Sequence, residues 1–88
     1  MTVYVDNLLP YRMDSKANIS EWCHMTADTR AELHAFAASI GLKRAWFQDK
    51  PNGRWHYDLT RKKRTQAIIA GAQAIDSATF IAVVRSRP

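Results

Sequence analysis

The sequence predicts a small α/β or α+β domain: a three- to four-stranded mixed sheet packed by two or three helices. Three observations predict it. Short β-branched and aromatic runs alternate with stretches of helical periodicity. The chain has 88 residues, enough for one hydrophobic core and too few for a second. Its composition, 47% apolar and 24% charged, is that of an ordinary globular chain and leaves no disordered tract. A single domain over residues 1–88 is therefore expected. Domains of this size are stable by only about 5 kcal/mol, so dimerisation or ligand binding is a credible source of more.

The elements follow in order. Thr2 to Val5 is β-branched and aromatic and ends at Asp6, which reads as a first strand. Leu8 to Ser20 carries Pro10, Asp14, Ser15 and Asn18 without a period and reads as a loop; Ile19 to Met25 suits an extended piece or a turn of helix equally. A helix starts at Asp28 or Thr29, where Thr29 and Glu32 make a Thr-x-x-Glu capping box, and it stops at Gly41. Leu33, Phe36, Ala37 and Ile40 give that helix one apolar stripe. Ala45 to Gln48 reads as a short strand and Asp49 to Gly53 as a turn, since Asn-Gly tolerates positive φ.

Trp55 to Leu59 alternates, with Trp55, Tyr57 and Leu59 on one face and His56 and Asp58 on the other. Phe47 and Trp55 on either side of the turn suggest a hairpin. A second helix is expected from Arg61 to Ala72 behind Thr60 as N-cap, weakened near its end by Gly71. Ala74 and Ile75 add a short strand, and Ser77 caps a last helix through Phe80 to Val84, residues that would serve a strand as well. Two amphipathic helices then cover one sheet, and ligands in such folds sit beyond the carboxyl ends of strands. Asp6 and Asp58 both occupy such ends, and if their strands run parallel the two regions can meet.

Composition narrows the function classes. Cys23 is the only cysteine, which excludes an intramolecular disulfide and a cysteine-rich zinc site and suits a reducing, cytoplasmic setting, the host cytoplasm if the chain is phage-encoded. Neither a signal-like leader nor a run of some 18 apolar residues occurs, so neither export nor membrane spanning is expected. Thirteen Lys and Arg against eight Asp and Glu leave a net charge of +5, which favours phosphate-bearing partners such as nucleic acid or a nucleotide. There is no glycine-rich phosphate loop and no Gly-x-Ser-x-Gly elbow.

The most informative stretch is His56 to Arg64. Arg61, Lys62, Lys63 and Arg64 crowd the first helical turn, where the macrodipole disfavours cations by about 0.3–1 kcal/mol each and a bound anion would reverse that cost. Arg61 and Arg64 should face the same edge of the fold as His56 and Asp58, while Lys62 and Lys63 point to solvent and supply general field; Arg61, Arg64, Lys63 and Thr60 make up the expected phosphate-binding set. A solvated basic end, or Arg61 paired with a carboxylate, explains the run equally well. His56 and Asp58 share a face about 6.5–7 Å apart along the backbone; they suit acid–base work, and also plain capping by Asp58 with a surface His56. His24, Asp28 and His34 form a second group. A His, His, Asp metal site is open, although no spacing matches a zinc motif. Cys23 beside His24 is a weak nucleophile pair because neighbouring side chains point apart. Trp22, Trp46, Phe47, Trp55 and Tyr57 would fill a core or stack bases.

The order Val-Tyr-Val-Asp, Trp22-Cys23-His24-Met25, Ala27-Asp28-Thr29, Glu32-Leu33-His34-Ala35-Phe36-Ala37, Ile40-Gly41-Leu42, His56-Tyr57-Asp58 and Gly71-Ala72 resembles a family of short phage and bacterial proteins classed as a domain of unknown function. The resemblance runs from about residue 2 to residue 76. It implies no activity. It does mark positions, since the family pattern carries polar residues like Asp6, His24, Asp28, His34, His56, Tyr57 and Asp58, which packing alone would not require. The chain departs from the pattern in a longer loop before Trp22, in the Asp49 to Gly53 insertion and in a more apolar last segment.

Three functions are thus expected as alternatives. The first is a module that binds nucleic acid or a nucleotide through Arg61, Arg64, Lys63 and Thr60, with His56, Asp58, His24 and Asp6 as the candidate catalytic group. The second is a metal-assisted nuclease or phosphodiesterase drawing on Asp6, His24, His34, His56 and Asp58; no motif demands a cofactor, and a divalent metal enters only here. The third is a non-enzymatic inhibitor or adaptor of a host protein, or a homodimer, using an apolar patch around Phe80 to Val84.

Overall fold

The computed structural model describes residues 2–12 and 19–87. Its elements are β1 (Val3–Val5), β2 (Leu9–Arg12), β3 (Ile19–Ala27), α1 (Arg30–Ser39), β4 (Tyr57–Thr60), α2 (Arg61–Ile69), β5 (Gln73–Ala74) and α3 (Ser77–Ser86). Among the described residues a mixed sheet, five-stranded rather than three- to four-stranded, and three helices make an α+β fold, the class that the alternation of patterns predicts. None of the described helices is long and apolar enough to cross a membrane.

Strand β3 organises the sheet. One of its edges carries β1 and then β2, both antiparallel, and the other carries β4, also antiparallel; β5 adds in parallel beyond β1. Because β1 and β4 both oppose β3, they run the same way, which is the condition under which Asp6 and Asp58 can approach each other. The register shifts along the first edge. Val5 faces Met25 and Leu9 faces Trp22, so four steps on one side match three on the other. The extra residue is a bulge, a device that bends the strand and re-aims a side chain, and it falls at Asp6 to Leu8.

Alternation gives the sheet two unlike faces. Val3, Val5, Cys23, Met25, Tyr57 and Leu59 point to one side, where Leu33 and Ala37 of α1 and Ala67 of α2 close the core over them. Full burial of a side chain such as Leu59 contributes about 1.5–3 kcal/mol. Trp22, His24, Thr26, Asp58 and Thr60 occupy the opposite side. There α3 crosses, placing the Phe80 ring 6.0 Å from that of His24. Just beyond the helix, Arg87 donates to the Thr26 hydroxyl (2.6 Å) and the Ala27 carbonyl (2.9 Å) and lies 3.6 Å above the Trp55 ring.

Helix limits follow local chemistry. Thr29, Thr60 and Asp76 accept the N–H groups of Glu32, Lys63 and Thr79 and so cap α1, α2 and α3. At the other ends, Gly41 (φ 82°) and Gly71 (φ 116°) enter the left-handed region, and paired bonds from Gly41 to Ala38 with Leu42 to Ala37, and from Gly71 to Ile68 with Ala72 to Ala67, seal α1 and α2. Gly71 therefore terminates α2, which ends at Ile69 and not at Ala72.

Other expectations are corrected too. Leu9–Arg12, read as loop, is a strand; Pro10 tolerates this because β2 lies at an edge, where a missing N–H leaves no ladder bond broken. Residues 13–18 of the expected loop lie outside the described residues. Ile19 to Met25 belongs to a strand that continues to Ala27. The expected strand at Ala45 to Gln48 is instead a 3₁₀ turn at Arg44–Trp46 followed by a single bridge, Gln48 to His56, so the hairpin pairs one residue further on than Phe47 and Trp55. Asn52 (φ 61°) and Gly53 (φ 71°) supply its turn. Asp76 rather than Ser77 caps α3, and Phe80 to Val84 are helical. The last strand is Gln73–Ala74, one residue earlier than expected.

Candidate functional site

On the outer face of the sheet, His24 of β3 sits directly opposite Asp58 of β4, and His56 precedes Asp58 by two residues on the same side. The imidazoles of His24 and His56 meet edge to face with centroids 5.0 Å apart. One ligand atom from each of His24, His56 and Asp58 lies within 4.8 Å of the other two.

Each of the three is held from behind. Asp6, only 3% exposed, accepts the His24 backbone N–H (2.6 Å) on one carboxylate oxygen and meets His24 Nδ1 (2.7 Å) with the other. The bulge makes this possible by turning the Asp6 side chain along the ladder toward its cross-strand neighbour. A carboxylate beside Nδ1 places the proton there and leaves Nε2 as the ring nitrogen with a free lone pair. The same bond raises the His24 pKa, against the opposing effect of burial, with further help from the Asp6 and Asp58 charges. His56 Nδ1 lies 2.9 Å from the Arg54 carbonyl. A carbonyl only accepts, so Nδ1 carries the proton and Nε2 faces Asp58 Oδ1 at 3.3 Å. The other Asp58 oxygen accepts from the Gln48 amide. The Asp58 pKa is lowered, first by His56, with Gln48 adding to it against the effect of burial.

The electrostatic result is an arrangement of acceptors. With both rings neutral, two imidazole lone pairs and a carboxylate share this space while their outer N–H groups and oxygens are already engaged; with His56 protonated, Nε2–H donates to Asp58. Such a set is satisfied by protonating a histidine or by placing a cation among the three. Access is open: the side chains of His24 and Asp58 are 43% and 38% exposed, against 15% for His56. They lie in a cleft of about 1250 Å³ between the sheet, the 48–55 loop and α3.

Among the residues singled out from sequence, Asp6, His24, His56 and Asp58 therefore come together. His34 does not. It lies on α1, on the core side, with Nδ1 2.9 Å from the Tyr57 hydroxyl and its ring packed against Phe47; burial, then Arg44 and Arg30, lower its pKa. Asp28 accepts from the Thr2 backbone and the Tyr4 hydroxyl, so His24, Asp28 and His34 form no common site. Cys23 is buried on the core side, and desolvation pushes its thiol up to about 12, so it stays protonated. In the basic run, Arg61 pairs with Glu21, Lys63 Nζ donates to the Ile40 carbonyl at the end of α1 (2.6 Å) and Lys62 is exposed. Only Arg64 reaches the cluster's margin, donating from Nε to the Asp6 carbonyl (2.9 Å). The Thr60 hydroxyl is occupied as the cap of α2.

Two contributors escaped sequence reasoning. Gln48 becomes visible only once the hairpin register is known, because its bridge to His56 sets it beside Asp58. The Arg54 carbonyl carries no side-chain signal at all. The family model for a protein of unknown function, DUF4031, matches residues 3–87. No curated protein and no solved structure matches the chain.

Proposed function

We propose that this chain, which belongs to the DUF4031 family of proteins of unknown function, is a metal-assisted hydrolase of phosphate esters, with His24, His56 and Asp58 as the ligands of one divalent ion. One observation carries the reading: three acceptors converge within 4.8 Å, and their outer hydrogen bonds are made by Asp6, the Arg54 carbonyl and Gln48. Outer partners of this kind fix ligand tautomer and orientation in metal sites.

A two-histidine, one-carboxylate set suits zinc, manganese, iron or cobalt and leaves positions open for substrate and water. The ion would lower the pKa of water and polarise a phosphoryl oxygen. The chain's own groups do the rest. Asp6 keeps His24 in the tautomer that presents Nε2, the Arg54 carbonyl does the same for His56, and Gln48 holds one Asp58 oxygen so that the other faces inward. The net charge of +5 draws phosphate-bearing substrates to the cleft. In the reaction a water oxygen forms the new P–O bond and gives up a proton to solvent, the ester P–O bond breaks, and the leaving oxygen takes a proton from solvent.

Elemental analysis of the purified protein, with hydrolysis of a chromogenic phosphodiester and of short oligonucleotides in the presence of manganese, zinc or magnesium, tests this. The expected result is one ion per chain and turnover that a chelator abolishes, with both lost in His56→Ala. A protein that retains no ion and shows no metal-stimulated turnover overturns the proposal.

A further inference from the structure

The cleft that holds the cluster has two more features that its ligands do not use. One wall is apolar: Leu9, Trp22, Phe80, Ile81 and Val84 line it from β2, β3 and α3. Leu9 and Ile81 are about half exposed, at 47% and 51%, far more than packing within the fold would leave them. Trp22 lies two residues before His24 on the same face of β3, and its buried indole N–H has no acceptor among the described residues. The second feature is charge. Lys50, Arg54 and Arg85 also line the cleft, and none of them is paired with a carboxylate among the described residues. Among the described residues, the only carboxylates lining the cleft are Asp6 and Asp58, both already engaged at the cluster.

We infer that this cleft is a nucleoside-phosphate subsite: the Trp22, Phe80 and Ile81 wall takes the base, and Lys50, Arg54 and Arg85 take phosphates. A flat aromatic base matches the apolar wall, and a phosphate beside it matches the cations. At about 1250 Å³ the cleft exceeds the 300–1,000 Å³ or so of a typical small-ligand site, leaving room for more than one nucleotide unit. The inference rests on the hydrolase reading for what happens to the bound phosphate, but binding itself requires no metal. The two can therefore fail separately.

Fluorescence anisotropy of a short labelled thymidine oligonucleotide, at low salt and with chelator present, tests the subsite. The expected result is saturable binding that weakens at least about tenfold when the bases are removed from the same backbone, and about tenfold in Trp22→Ala, as loss of one stacking platform predicts. Ile81→Asp, at an exposed helix position that tolerates replacement, should weaken binding similarly even if Trp22→Ala fails to fold. Arg85→Glu should weaken binding several-fold more than Lys62→Glu, which changes the net charge equally on α2. Displacement of the probe by a free mononucleotide or only by a second oligonucleotide tells which source of nucleoside phosphate the cleft takes; either displacement supports it. Absence of binding, equal binding of the abasic strand, or equal effects of Arg85→Glu and Lys62→Glu overturns the inference, whatever the outcome of the metal experiments.

Discussion

Replacing Asp6 by asparagine exchanges one carboxylate oxygen for an NH₂ group at a position that is 3% exposed. The carboxylate accepts twice from His24, once from the backbone N–H and once from Nδ1–H. An amide has one acceptor oxygen. If that oxygen keeps the backbone bond, the new NH₂ confronts Nδ1 and drives the proton to Nε2, which removes the lone pair that faces the cluster. If it keeps Nδ1–H, the NH₂ confronts the backbone N–H and two buried donors oppose each other, at a cost of about 1–3 kcal/mol. Metal affinity should therefore fall about 10- to 100-fold, as it does when such outer partners are removed, equivalent to about 1.4–2.7 kcal/mol. The pH dependence has a definite sign. Asp6 raises the His24 pKa in the folded state, so its ionic contribution is fully present below about pH 6.5, the unfolded value, and is lost as pH rises through the raised folded value. Calorimetric titration with zinc, chemical denaturation at several pH values, and NMR titration of His24 measure all three effects. Unchanged affinity together with an unchanged His24 titration would refute the role given to Asp6.

Other outcomes separate the cluster from the scaffold. His34→Ala should leave metal affinity and turnover within about twofold and cost roughly 1 kcal/mol of stability, the usual worth of one hydrogen bond such as that to Tyr57; denaturation and metal titration check both. Leu59→Ala, at a fully buried position on the core face, should destabilise by about 2–5 kcal/mol in urea denaturation. Cys23, its thiol held up at about 12 by burial, should react with a disulfide reagent at neutral pH only after denaturant is added. A fast reaction in the native protein would show that Cys23 is not enclosed by the core.

The sequence was most legible where side-chain periodicity and end chemistry agree. Thr29 with Glu32 and the terminal Gly41 delimit α1 closely, and alternation from Trp55 to Leu59 correctly separates His56 and Asp58 from the buried residues of β4. It was least legible where pairing decides. Leu9–Arg12 has no period of its own and is a strand because β3 offers it an edge; Ala45 to Gln48 has strand-like residues but finds a single bridge. The candidate site divides the same way. His56 and Asp58 share a strand face by alternation alone, whereas His24 joins them through a cross-strand register and Asp6 through a bulge, neither of which leaves a mark in composition. The basic run misled in part because its cations meet partners far away in sequence: Glu21 for Arg61, the Ile40 carbonyl for Lys63 and the Asp6 carbonyl for Arg64.

The most direct test of the proposed metal site is nitrogen-15 NMR of the histidine rings during titration with zinc. Both His24 and His56 should show Nε2 shifting to the metal-bound range, complete at one equivalent, while their Nδ1 atoms remain protonated and His34 stays unmoved. Rings of His24 and His56 that do not respond, or a response shared equally by His34, would contradict a site built from His24, His56 and Asp58.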